Sequence, residues 1–193
     1  NVLVPASGHY ENTSCGDDID WQIEADWVGL MSVGHANAAI DLAWKAGHVM
    51  CYGDGVYGGV FVAAMYAQAY TATSVDQIIQ TGMDALPENT KYKMAMLDVL
   101  KWKKEGKTWD ECWDLIEKSW WANDDRCQDA QNTEPFNIDA KLNGAYGIIV
   151  WKWRYRSLYA IFYALRSRCR LQSLYCRRNF GKLYGISKIA RQV

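Results

Sequence analysis

The chain has 193 residues, half of them apolar, and it contains ten Trp and twelve Tyr. This composition predicts one domain with a buried core and excludes a disordered chain. The net charge of −1 hides a division, because residues 1–150 hold ten basic and 22 acidic residues while residues 151–193 hold eleven basic and no acidic residues. A basic, aromatic C-terminal part is typical of a nucleic-acid or anionic-membrane contact.

Targeting and membrane signals are absent from the sequence pattern. No charged and then apolar leader follows Asn1, so no signal peptide is predicted, and the chain is expected to begin inside a longer protein. The weakly polar run 55–70 is too short and too mixed to span a bilayer. The six cysteines form no C-x-x-C pair, so neither a zinc ribbon nor a disulfide framework is predicted. Reduced thiols are the default, but the sequence does not decide the compartment, cytoplasmic or otherwise.

Helical spacing of apolar residues runs through the chain, and no alternating run is long enough for a sheet. The predicted class is all-α. The predicted helices are short turns after Asp20, a helix after Ser32 capped by Gly47, a buried helix over Val60–Ala67, a helix opened by a Ser74–Gln77 capping box, a helix over Lys91–Glu105 ended near Gly106, a helix opened by a Thr108–Glu111 capping box, and a helix over Ile138–Ile149.

The densest polar cluster is an acidic turn that leads into the first helix. Asp17, Asp18 and Asp20 repel one another unless a cation or several hydrogen-bond donors lie among them. Hard cations such as Mg²⁺ prefer such oxygens. The alternative is a solvated turn whose acids are stabilised by a helix N-terminus. Spacing alone leaves both interpretations open.

A second cluster is the glycine-rich run Tyr52–Gly59, which precedes the buried helix. Glycines at such a place allow close approach of a ligand, and a helix N-terminus favours phosphate. The run is not a P-loop, because the Gly-Lys-Ser/Thr ending is missing. Tight helix packing is the alternative. The three histidines, His9, His35 and His48, form no spaced ligand set and are predicted to be surface or packing residues.

Three strings, Glu11–Asp26, Gly47–Gly59 and Pro135–Lys141, resemble bacterial members of the ADP-ribosylglycohydrolase family in order and spacing. The resemblance covers residues 1–147 and returns at Leu183–Ile189. It implies an all-α, multi-helix orthogonal bundle, which is incomplete in this chain. It also implies a hydrolase that cuts an N- or O-glycosidic bond to release ADP-ribose from a protein or small molecule. The implied partner is ADP-ribose or an ADP-ribosylated substrate, with no specific nucleic acid and no membrane span.

The family's cofactor is a pair of divalent ions, usually Mg²⁺, held between an early half-site of Thr-Asp-Asp type and a late half-site of the form Asp-x-Asp-Ser/Cys/Thr. Such ions clamp substrate oxygens and activate water. The substrate-binding residues that the resemblance implies are Ser14, Cys15, Gly16, Asp17, Asp18, Asp20, Gln22, Tyr52, Gly53, Asp54 and Gly55.

Three departures from the family pattern limit what is carried over. The early half-site is not in this sequence and is expected to precede Asn1, while the basic stretch Trp151–Phe180 stands where the late half-site belongs. No metal ligand or catalytic residue is therefore assigned, and no turnover is expected. Several family members have a ligand-facing His where this chain has Tyr52-Gly53-Asp54, so that role is not carried over either.

The charge change suggests a reading-frame artefact over residues 148–180, between a partial helical domain at 1–147 and a family-like return at 181–193. Read one nucleotide later with permitted codons, this stretch can encode an Asp-Ala-Asp-Cys string. On this hypothesis Trp151–Phe180 packs poorly. The alternatives are a non-catalytic nucleotide-sugar binding module and a basic contact with nucleic acid or membrane.

Overall fold

A computed structural model describes residues 6–13, 16–121 and 138–153. The α-helices in these ranges are α1 (Asp20–Glu24), α2 (Asp26–Met31), α3 (Ala36–Gly47), α4 (Asp54–Gln68), α5 (Val75–Asp84), α6 (Lys91–Lys104), α7 (Trp109–Ile116) and α8 (Ala140–Lys152). A 3₁₀ turn (Ala6–Gly8) precedes them, and a π-helical turn (Glu117–Trp121) follows α7. Among these residues no strand forms, so the all-α prediction is confirmed. The family's particular bundle stays a prediction.

Helix α4 is the centre of the fold. Its residues from Val60 to Ala67 are all buried, as predicted for a segment that is apolar nearly all round. It contacts α1, α2 and α3 on one side and α5, α6 and α8 on the other. One part of the core therefore forms between α4 and the first three helices, and a larger part forms between α4 and the later ones.

The glycines of α4 permit close packing. The glycine run was placed ahead of the helix, but Gly55, Gly58 and Gly59 lie inside it. A Cβ on Gly59 would overlap the indole of Trp21. The predicted cap role of Gly47 is wrong, because Gly47 is the last residue of α3, and a Cβ there would lie 2.6 Å from the Trp21 Nε1. Tight packing thus accounts for these glycines.

The two predicted capping boxes differ in the structure. The Ser74 hydroxyl accepts the Gln77 N–H at 3.2 Å, but the Gln77 side chain turns to the Thr73 N–H at 3.0 Å. That box is half formed. At α7 the Thr108 N–H donates to the Glu111 carboxylate at 2.7 Å, and the box is complete as predicted.

Helix α8 begins after Asp139, whose carboxylate accepts the Leu142 N–H at 3.0 Å. It continues past residue 147 to Lys152, and the Trp153 indole N–H donates to the Lys107 carbonyl. Residues 154–193 lie outside the described residues. The reading-frame hypothesis and the proposed division at 147 and 181 therefore stay predictions.

None of the helices in the described ranges is long and apolar enough to cross a bilayer.

The packing of α4 predicts opposite effects for two glycines in helices. Gly59→Ala should lower the free energy of unfolding by roughly 1–3 kcal/mol, because the added methyl group overpacks against Trp21. Gly147→Ala is the matched control, since no described atom lies within 4 Å of a Cβ there. It should raise stability by roughly 0.5–1 kcal/mol through helix propensity. Urea denaturation followed by far-UV circular dichroism measures both, and equal effects would contradict the packing account.

Candidate functional site

The acidic turn meets the start of α8 across a long separation in sequence. The Ile19 N–H donates to the Ile138 carbonyl at 2.8 Å, and the Ala140 N–H donates to the Asp17 carbonyl at 2.9 Å. These bonds produce an isolated antiparallel bridge between Asp18 and Asp139. The acidic turn is therefore held in place by backbone hydrogen bonds and is not a freely solvated loop.

The same turn also meets the glycine-rich run. The Tyr52 N–H donates to the Gly16 carbonyl at 2.9 Å. The Asp17 Oδ1 accepts the Asp54 N–H at 3.1 Å and the Tyr10 hydroxyl at 2.7 Å. Asp17 thus places a carboxylate at the N-terminus of α4, where the helix dipole favours a negative charge. The position at which phosphate was considered holds this side chain instead.

Gly53 makes this approach possible. Its backbone φ of +53° is in the region that favours glycine. A Cβ there would lie 3.0 Å from the Asp17 carboxylate and would also overlap the hydroxyl of Tyr10. The glycine of this turn therefore serves an internal carboxylate and a tyrosine.

Asp54 places a carboxylate at the N-terminus of α6, as Asp17 does at α4. Its Oδ1 accepts the Tyr92 N–H, in the first turn of α6, at 3.2 Å. Burial, with the negative charge of Asp17 next in size, raises the pKa of Asp54 to about 6, against the opposing influence of Lys141. A carboxyl group that titrates near neutral pH in a polar cluster is a common feature of functional sites.

The third carboxylate is that of Asp139 at α8. It forms a buried ion pair with Lys141, with 2.7 Å between Oδ2 and Nζ. Burial raises the pKa of Asp139 despite the nearby lysine and the Leu142 N–H. The N-termini of α4, α6 and α8 therefore each hold one Asp carboxylate, and the charges of Asp17, Asp54 and Asp139 influence one another.

Six ring side chains beside the N-terminus of α4 form a continuous series that we call the aromatic wall: His9, Tyr10, Trp44, His48, Tyr52 and Tyr57. Tyr52 lies at its centre, with its ring centroid 4.3 Å from that of His9 and 5.6 Å from those of Tyr10 and His48. Most of these contacts are edge-to-face, which is a favourable geometry for aromatic pairs.

The far end of the aromatic wall lies on α3 and α4. The Trp44 ring is 4.6 Å from His48 and 6.0 Å from Tyr57. The His48 Nδ1 lies 2.6 Å from the Trp44 carbonyl oxygen, which fixes the imidazole. Burial, and then the charge of Asp54, raises the pKa of Tyr57. The aromatic wall thus lies next to the carboxylates of Asp17 and Asp54.

Several predicted substrate-binding residues lie inside the protein. Gln22 is fully buried, and its side-chain oxygen accepts the Tyr92 hydroxyl at 2.9 Å. Gly16, Asp18 and Gly55 are also buried. These four residues support the site from the protein interior and have little exposed surface for a ligand to contact.

Other predicted residues lie nearer the surface. Asp17, Tyr52, Gly53 and Asp54 are half-buried, and Asp20 is exposed in the first turn of α1. These five remain available to a bound molecule.

Two predicted residues, Ser14 and Cys15, lie outside the described residues.

The donor set does not fit a pair of Mg²⁺ ions. In the described part of the chain no three His, Cys, Asp or Glu side chains group so as to hold a metal. Asp17 is hydrogen-bonded at α4, while Asp18 is buried and Asp20 is exposed. Both family half-sites are also missing from the sequence. No metal-dependent step is derived for these residues.

Sequence reasoning missed Tyr10, Tyr92 and Lys141 as members of the site. Lys141 is the one charged residue of α8 before Lys152, in an otherwise mostly apolar helix, which is the signal that could have marked it as a buried charge. Tyr10 and Tyr92 carry no local signal, because their partners are Asp17 and Gln22.

Comparison of the chain with known protein families, with curated proteins and with solved structures finds no match. The family resemblance therefore rests on the quoted strings.

The raised pKa of Asp54 predicts a stabilising substitution. The folded chain holds the Asp54 proton more tightly than the unfolded chain, so this contribution is full below pH 3.8 and is lost as the pH rises through about 6. Asp54→Asn avoids the loss and keeps an acceptor for the Tyr92 N–H. It should be more stable than the parent chain at pH 7.5, by at most about 3 kcal/mol, and no more stable at pH 3.5.

Urea titrations at the two pH values measure this difference. The exposed Asp20→Asn substitution is the control and should have little effect at either pH. An Asp54→Asn variant that is less stable at pH 7.5 would contradict the assignment.

Proposed function

We propose that this chain derives from a hydrolase of the ADP-ribosylglycohydrolase type and contributes the ADP-ribose-binding part of its site. Such an enzyme cuts the N- or O-glycosidic bond between ADP-ribose and a modified protein or small molecule. One observation carries the proposal: the three strings of the resemblance, which are far apart in sequence, meet at the N-terminus of α4 through Asp17, Tyr52, Asp54 and Ala140.

The chemistry of this surface supports a nucleotide-sugar ligand. The half-buried carboxyl of Asp54, with its pKa of about 6, can accept or donate a hydrogen bond to a ribose hydroxyl near neutral pH. The partly exposed rings of Tyr10 and Tyr52 offer planar surface beside it. Polar groups that converge next to aromatic side chains are typical of small-molecule sites.

The proposal for this chain includes ADP-ribose binding but not hydrolysis. Neither metal half-site is within the sequence, and the described residues do not form a substitute. The chain as written is therefore proposed to bind ADP-ribose without Mg²⁺ and without hydrolysing it. Detectable metal-dependent release of ADP-ribose by these 193 residues would contradict this part of the proposal.

A second candidate function is an anionic contact through residues 151–193, which is favoured by their eight Arg and three Lys without any acidic residue. It predicts DNA binding that falls steeply with salt and is lost when residues 151–180 are deleted. It does not account for the meeting of the three strings.

Calorimetric titration with ADP-ribose at pH 8 tests the binding proposal. We expect binding that is unchanged by EDTA, and Asp54→Asn should weaken it by about ten-fold or more, through loss of a charged hydrogen-bond partner. The matched control is Asp84→Asn, an exposed carboxylate that bonds only its helix neighbour Gln80 among the contacts described. Since Asp54→Asn is expected to be more stable, weaker binding cannot come from unfolding. Absence of ADP-ribose binding both with and without EDTA would overturn the proposal.

The hydrolase origin is tested by the nucleotide sequence of the source gene. We expect a base lost or gained near codon 147 and compensated near codon 181, with an Asp-Ala-Asp-Cys string in the restored frame and a Thr-Asp-Asp segment upstream. The corrected full-length protein should then release ADP-ribose only when Mg²⁺ is present. An open frame that is correct as given would remove this origin and leave the binding module or the basic contact.

A further inference from the structure

The first half of the described chain is almost free of positive charge. Among residues 1–90, Lys45 is the one basic residue, against eleven Asp and Glu, which gives a net charge of −10. A surface of one sign attracts ligands of the opposite sign and repels ligands of its own. A ligand attracted to this half of the molecule by net charge alone is therefore cationic.

The aromatic wall includes two of the exposed aromatic side chains of this acidic half. Tyr10 is 41% exposed and Trp44 is 45% exposed, although both are in contact with other rings of the wall. Val49 and Met50 extend the apolar surface next to His48 and are exposed as well. The exposed rings of Tyr10 and Trp44 are therefore joined through Tyr52 and the buried His48, and we call their exposed surface the patch.

Carboxylates border the patch on two sides. Asp41 precedes Trp44 by one helical turn on the exposed face of α3. Asp17 accepts the Tyr10 hydroxyl, and the exposed Glu11 follows Tyr10 directly. Aromatic faces bordered by carboxylates attract guanidinium and ammonium groups through cation–π and charge interactions.

We propose that this face of the aromatic wall docks a basic, arginine-rich segment of a partner polypeptide. Arginine fits better than lysine, because its planar guanidinium can stack on Trp44 and Tyr10 while it bonds a carboxylate. Nucleic acid is disfavoured by the acidic surroundings, and the acidic half of a second copy is disfavoured for the same reason. The inference does not rest on the proposed function, since neither ADP-ribose nor hydrolysis enters it.

Calorimetric titration of the full chain with an acetylated octa-arginine amide at low salt tests the proposal. Residues 151–193 themselves hold eight Arg and three Lys, so the peptide is added in excess, at millimolar concentration. We expect binding that weakens as salt rises, weaker binding of octa-lysine and no binding of octa-glutamate. Failure of octa-arginine to bind would overturn the proposal, and ADP-ribose affinity measured on the same sample tests the proposed function separately.

Two tryptophan variants locate the docking face. Trp44→Ala should weaken octa-arginine binding about two- to five-fold, which corresponds to an exposed cation–π contact. Trp27→Ala is the matched control, because Trp27 is 42% exposed on α2 and contacts Trp21, outside the aromatic wall. Asp41→Asn should also weaken binding and reduce its salt dependence. Equal losses for Trp44→Ala and Trp27→Ala would show non-specific attraction and overturn the assignment to this face.

Discussion

The carboxylate of Asp17 at the N-terminus of α4 is the interaction on which the rest of the arrangement depends. Its side chain accepts the Tyr10 hydroxyl and the Asp54 N–H, while its backbone carbonyl accepts the Ala140 N–H. One residue therefore joins the N-terminal turn, the central helix and the start of α8. Because α4 packs against six other helices, the position of this carboxylate sets the core and the candidate site together.

The cluster of Asp17, Asp54 and Asp139 at these helix N-termini holds more negative charge than a buried environment favours. Asp54 and Asp139 have raised pKa values because they are buried, and Lys141 offsets only part of that cost. The helix N-termini supply N–H donors that stabilise the carboxylates. An arrangement that keeps ionisable groups against the cost of burial is more typical of a functional surface than of a core selected for stability alone.

The sequence predicts what is local and misses what is distant. Helix order, the buried character of Val60–Ala67 and the Thr108 cap follow from spacing and neighbouring residues, and all are confirmed. The role of Asp17 could not be predicted, because the helix that it stabilises begins 37 residues later. The glycine at position 47 was misread for a similar reason, since the side chain that requires it, Trp21, belongs to another helix.

The pairing of residues 17–19 with residues 138–140 has a consequence for the order of folding. It closes a loop of roughly 120 residues, and contacts of such long range form slowly because the chain must first lose the entropy of closure. Helices α1 to α7 can assemble on the ribosome before α8 has been synthesised. Until α8 arrives, the Ile19 N–H and the Asp17 carbonyl have only water as partners, so a helix more than a hundred residues later completes the first part of the chain.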